Sequence, residues 1–128
     1  MESRTTVKFI TPDQDVFFIT LRKRVNEYFK SHGLSKKANW EMVTKSIVLL
    51  TVYILSLAYI FIMNPPFWIA LIGWGIAGIA VAGIGMSVMH DANHGAYSDN
   101  KTVNIIMGHT LNLVGGSVLN WKLQHNVL

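Results

Sequence analysis

His90 and His94 stand four residues apart in MHDANHGAYS, residues 89–98, with Asp91 and Asn93 between them. On an α-helix this spacing puts both imidazoles on one face, where they can converge on a single metal ion. Asp91 and Asn93 place oxygen atoms beside them, able to accept an imidazole's second N–H and so fix its orientation. The spacing alone is a weak motif, and position adds most of its force. The pair follows directly on the most apolar part of the chain, and titratable groups at the end of a membrane helix are costly to keep without a use. The plain alternative is two hydrated histidines at a helix end. Imidazole suits iron, zinc, copper and nickel alike, so residue type leaves the metal open.

The other polar residues carry weaker signals. His125, taken alone, reads as a surface residue, and His109 as a structural or surface residue beside an amphipathic stretch. His32 closes a helix, where an imidazolium suits the negative end of the dipole. Tyr97 and Ser98 mark the turn after the helix, each also able to donate a hydrogen bond toward the site. Asp99 and Lys101 read as solvated loop charges.

The element that delivers the pair is set by charge. Of 128 residues, 51% are hydrophobic and 14% charged, against about 25% charged in an ordinary globular chain. From Ser46 to His90 there is no Asp, Glu, Lys or Arg. A bilayer demands such a run, since a helix crosses its ~30 Å hydrocarbon layer with about 20 apolar residues. SIVLLTVYILSLAYIFIM (46–63) is the first expected span, entered past Trp40 and Lys45, which suit the water–lipid boundary. Pro65 and Pro66 break it and start a second span, FWIALIGWGIAGIAVAGIGMSVM (67–89). Gly73, Gly75, Ala77, Gly78, Ala82, Gly83 and Gly85 allow a close helix neighbour. The two spans are therefore expected to form a tight hairpin.

Residues 1–45 hold nine of the eleven Lys and Arg and the hairpin tip holds none, so both hairpin ends are expected in the cytoplasm. The first fifteen residues have no apolar core of the kind a cleavable signal peptide needs, so insertion is expected to start from an internal span. Zero cysteines exclude disulfides, thiolate metal sites and thiol nucleophiles. The net charge of +4 comes with no aromatic–basic interleaving, and no nucleic-acid partner is expected.

Ahead of the hairpin, TPDQDVFFITLRKRVNEYFKSHG reads as an amphipathic helix. Thr11 suits the cap, Pro12 the first helical position and Gly33 the stop. Phe17, Leu21, Val25 and Tyr28 recur at helical spacing, and Arg22, Lys23, Arg24 and Lys30 give a basic side. Such a helix either packs on the rest of the protein or lies on the anionic inner leaflet. Behind the hairpin, residues 102–121 carry an apolar stripe of Val103, Met107, Leu111, Val114, Val118 and Trp121, with Asn104, Gly108 and Asn112 on another face. A helix half-sunk at the membrane surface, broken at Gly115-Gly116, fits this pattern. The expected architecture is an all-α membrane hairpin with an N-terminal amphipathic helix and a C-terminal interfacial helix. Its segments are 1–41, 42–89 and 90–128.

HDANHGAYS after a glycine-rich span, followed about thirty residues later by NWKLQHNVL, resembles the membrane fatty acid desaturases, in particular those of linoleoyl type acting on acyl-lipid or acyl-CoA. That family carries three histidine boxes. His90 and His94 match the first completely, and His125 matches the opening histidine of the second. The rest of that box, the third box and a second transmembrane hairpin are missing, so the chain is expected to be the N-terminal part of a longer protein and inactive alone. The resemblance implies two irons, with His90, His94 and His125 among the ligands and the others beyond Leu128. It also implies electrons from cytochrome b5 or a ferredoxin, and membrane lipids around the chain, in a bacterial inner membrane or the endoplasmic reticulum. The reaction implied is O2-dependent removal of two hydrogens from neighbouring methylenes, which no acid–base side chain achieves and a redox metal does. Trp121, near His125, would line the apolar tunnel for the acyl chain or anchor the chain at the interface. A related diiron hydroxylase shares these features. Two rivals differ: a membrane zinc hydrolase, which would normally have Glu where Asp91 stands, and a non-catalytic hairpin subunit.

Overall fold

Asn39 opens the first long helix, its side chain accepting a hydrogen bond from the Met42 N–H at 3.0 Å. That bond satisfies one of the donors a helix start leaves unpaired. The computed structural model describes residues 12–126, and the regular elements among them are all helical. In chain order they are α1 (Pro12–Ser31), α2 (Trp40–Met63), α3 (Phe67–Gly83), a π-helical segment (Ile84–Met89), α4 (His90–Asn93), α5 (Lys101–Gly108), α6 (Thr110–Leu113) and α7 (Val118–Asn126). The chain divides into two compact units, Met1–Lys36 and Lys37–Leu128.

In the first unit, α1 ends where Gly33 takes φ +62°. There Leu34 N–H reaches Phe29 O and Gly33 N–H reaches Lys30 O, the paired bonds of a Schellman stop. Thr11, the expected cap, lies outside the described residues.

In the second unit, α2 and α3 form the hairpin, with Asn64 in the left-handed region at the turn. Both are long and apolar enough to cross a membrane, α3 when taken on through α4 as Phe67–Asn93. Only 6% and 17% of their most apolar stretches is buried within the protein. A core helix of a soluble protein would be mostly buried; these apolar surfaces need lipid. The first span begins at Trp40, six residues ahead of the expected Ser46, because the Asn39 cap starts the helix while Glu41 and Lys45 are still at the polar end. The second runs four residues past the expected Met89. Its 27 residues reach about 40 Å, more than the hydrocarbon layer, which carries the histidine end beyond the apolar interior.

The glycines of α3 and the π-helical segment divide by face. A Cβ at Gly73 would lie 3.1 Å from Ile60, and one at Gly83 would lie 2.8 Å from Leu49, so at these two positions the helices touch. Ala77, Ala80 and Ile84 are buried along the same line. Gly75, Gly78 and Gly85 would meet nothing within 4 Å and take no part in the hairpin contact.

The expected interfacial helix is three short helices. Its break at Gly115-Gly116 is present, with Gly115 at φ +90°. A second interruption falls at His109, and the last helix continues to Asn126.

Candidate metal centre

Six residues of π-helix precede the histidine pair. A π turn holds more residues than an α turn, so the face carrying His90 is rotated from where an unbroken α-helix would put it. Ser87 Oγ donates to Gly83 O at 2.6 Å, supporting a carbonyl in this wider stretch, and Ile84, Val88 and Met89 are buried. Helix geometry resumes at α4, where His94 N–H reaches His90 O at 3.2 Å. The helix then stops at Gly95, φ +68°, with Ala96 N–H on Asp91 O and Gly95 N–H on Ala92 O. A side chain there would have to adopt the left-handed region, which glycine occupies without a Cβ penalty.

The turn is then tied down on both sides. Tyr97 is buried, its hydroxyl donating to Ser46 Oγ of α2 at 3.0 Å, while Ala38 N–H reaches Tyr97 O at 3.0 Å. Lys37 Nζ donates to Gly95 O at 2.8 Å. On the other side Asn104 grips Ser98 twice, accepting from its N–H at 2.9 Å and donating to its carbonyl at 2.6 Å. Asn100 caps α5 through Thr102 N–H. Asn93 donates to Gly108 O at 3.3 Å, and a Cβ on Gly108 would sit 2.6 Å from the Asn93 side chain. Glycine at 108 is what lets α5 lie that close to α4.

α6 packs against the π-helical segment, and Tyr53 of α2 donates to Leu113 O at 3.2 Å. Gly115 ends α6 with the same paired bonds as Gly95, Gly116 N–H to Leu111 O and Gly115 N–H to Asn112 O. Asn112 then bridges the break, its side-chain oxygen accepting from Val118 N–H at 3.1 Å. Buried Val118 roots α7, and the helix brings Trp121 and His125, four residues apart, over α4.

The outcome is a cluster of three imidazoles. Ring centroids of His90 and His94 are 4.7 Å apart, those of His90 and His125 5.6 Å, and those of His94 and His125 5.1 Å. One nitrogen of each lies within 4.8 Å of the others. His90 is half-buried and the other two are exposed, so the cluster is open on one side. Asp91 Oδ1 stands 3.2 Å from His90 Nδ1. A carboxylate only accepts, so this contact puts the proton on Nδ1 and, in the neutral ring, leaves the Nε2 lone pair free.

Imidazole nitrogens held about 2.1 Å from one ion lie about 3–4 Å apart. The cluster needs only a small rotation of its rings to reach that geometry, and three imidazole donors with one side open can hold iron, as they can zinc, copper or nickel. The residues fit the metal.

The sequence-derived candidates separate here. His90, His94 and His125 come together, with Asp91 on His90. Trp121 lies against all three rings, at centroid distances of 5.8, 5.2 and 4.4 Å. The Asn93 amide is engaged with Gly108 and with Met89 Sδ at 3.7 Å. Tyr97 and Ser98 bond to Ser46 and Asn104. His109 and His32 each turn back on their own helix, onto Ile105 O at 2.7 Å and Tyr28 O at 2.8 Å, and are not in the cluster. Sequence reasoning missed the roles of Asn104 and Asn112. Their signal was two amides in an otherwise apolar run, where a polar group needs an internal partner.

No protein-family model matches the chain, and no solved structure matches it. Curated proteins do. It is 35% identical over 108 residues to the sn-1 linoleoyl-lipid 6-desaturase of Synechocystis sp., an alignment covering 84% of this chain and 30% of that protein. It is 31% identical over 124 residues to the acyl-lipid (8-3)-desaturase of Physcomitrium patens, covering 97% of this chain and 26% of that one. The sn-1 linoleoyl-lipid 6-desaturase of Arthrospira platensis is 32% identical over 108 residues, with 84% and 29% covered. The chain thus spans between a quarter and a third of the length of these relatives.

Proposed function

We propose, from the premise that the chain belongs to the fatty acid desaturase family, that it is the part of a membrane acyl desaturase contributing its first metal ligands. The observation that carries this is the meeting of His125 with His90 and His94, from helices separated by two glycine turns. A hydrated helix-end pair would not have recruited a third imidazole.

His90, His94 and His125 would hold iron, and the centre is a pair of irons whose further ligands belong to the rest of the protein. Bound iron supplies the activation of O2 that removing hydrogen from an unactivated methylene requires. The chain's own residues do the positioning. Asp91 fixes the His90 ring, the hydrogen-bonded turn fixes the distance of α4 from α5, and α7 sets His125. The Trp121 ring beside the imidazoles limits water on that side and offers an apolar wall to an acyl chain on an acyl-lipid or acyl-CoA.

The excess of Lys and Arg in residues 1–45 over the uncharged hairpin tip favours a cytoplasmic side for both hairpin ends, and hence for the histidines. Such a side is open to cytochrome b5 or a ferredoxin as electron donor, in a bacterial inner membrane or the endoplasmic reticulum. The test is His90→Ala and His94→Ala, separately, in the complete membrane protein, scored by unsaturated product and bound iron at equal membrane abundance. Each is expected to lose product and to lower iron content. Full product from both variants would overturn the assignment.

A further inference from the structure

The helix α1 takes no part in the metal reading, and its surface has a pattern that reading leaves unexplained. At 100° per residue, Phe17, Phe18, Leu21, Val25, Tyr28 and Phe29 fall within one arc of about 120°. Arg24 borders this arc on one side and Arg22 on the other, while Lys23, Asn26, Glu27 and Lys30 occupy the far side together with Val16 and Ile19. Most of the apolar arc is uncovered, Phe17 being 62% exposed, Tyr28 54% and Leu21 44%, with Phe29 half-buried. A shallow groove lined by Val16, Phe17, Thr20, Leu21 and Arg24 runs beside the arc on its Arg24 edge.

Two features select the occupant. Arginine at both edges of an apolar face is the arrangement that lets the stems lie along hydrocarbon while the guanidinium groups reach phosphate oxygens above it. In all, α1 carries four basic and three acidic residues, and two of the acidic ones, Asp13 and Asp15, fall in its first turn. The stretch from Phe17 to Ser31 that bears the apolar arc thus holds four basic residues and one acidic, a complement to an anionic surface. Connectivity adds a constraint. Only residues 32–39 join α1 to a helix long and apolar enough to cross a membrane, so the connection spans at most about 30 Å whatever the arrangement of the two units.

We infer that α1 is an interfacial helix that lays its Phe17–Leu21–Val25–Tyr28 face into the anionic leaflet at the start of the first span, with Arg22 and Arg24 on lipid phosphates. This requires that α2 and α3 span the bilayer and is independent of the metal. The helix then fixes the depth and rotation at which α2 enters the membrane.

The chain has no cysteine, so single labels are clean. Leu21→Cys and Lys23→Cys, each carrying an environment-sensitive fluorophore, are placed in the full chain in nanodiscs of phosphatidylcholine with or without phosphatidylglycerol. A spin-labelled lipid and aqueous iodide serve as quenchers. With phosphatidylglycerol present, the lipid quencher is expected to act on position 21 and iodide on position 23. Arg22→Gln with Arg24→Gln should weaken this surface association about 10-fold or more, seen as loss of lipid quenching at position 21 while the hairpin stays inserted. Position 21 protected from both quenchers would mean that protein covers the face and would overturn the inference. Equal iodide quenching at both positions, meaning a helix in water, would overturn it as well.

Discussion

Along α2 and α3 the hairpin is held by the shape of hydrocarbon. Gly73 receives Ile60, Gly83 receives Leu49, and Ala77 and Ala80 are buried between them. From His90 to Asn126 the helices are short, and amide and hydroxyl side chains join them: Asn93 to Gly108, Asn104 to Ser98, Asn112 to Val118, Tyr97 to Ser46. Lipid tails are as apolar as leucine, so a hairpin in lipid gains from close approach of small residues, a force with little directional content. A metal needs its ligands held at a stated angle, and hydrogen bonds have direction. The hairpin therefore sets where the imidazoles are, and the polar cap sets how they point.

Changes in the cap should strike the metal, and changes in the hairpin should strike helix pairing. The largest expected effect is Asp91→Asn, which removes the acceptor charge behind His90. It should weaken binding of Fe(II) or Co(II) by about 10–100-fold, measured by titration of the full chain in nanodiscs. Hairpin pairing should stay unchanged. A variant that binds metal as tightly as the parent would break the division of labour. Next is Gly83→Leu, which drives a side chain into Leu49 and should cost about 1–3 kcal/mol of packing, read as loss of cross-linking between labelled α2 and α3. Gly75→Leu is its control, since a Cβ there meets nothing within 4 Å; equal damage from both would mean that the open face of α3 matters as much as the packed one. The smallest is Gly115→Ala. Forcing φ +90° on a residue with a Cβ costs about 1 kcal/mol. It should shift α7 and weaken metal binding less than Asp91→Asn, with His90 and His94 still paired.

Much of this was legible along the chain because it depends on neighbours in sequence. An uncharged run of spanning length, a proline break, and two histidines four apart are local patterns that read the same in any fold. The boundaries were less legible. The Asn39 cap moved the start of α2, and the π-helical segment carried the second span to Asn93; neither shifts the apolar pattern that periodicity measures. The small residues of the second span looked alike in sequence, yet Gly73 and Gly83 touch α2 whereas Gly75, Gly78 and Gly85 do not.

The sequence by itself determined that there are two apolar helices and that His90 and His94 share one face at the end of the second. Both follow from spacing within a single helix. Only the tertiary structure decided that His125 and Trp121 join them, because that meeting sums the turn at Gly95, the clamp of Asn93 on Gly108, the interruption at His109 and the turn at Gly115. Each of these rotates the chain by an angle that depends on contacts with other helices, and a small change in any one would carry α7 away from α4.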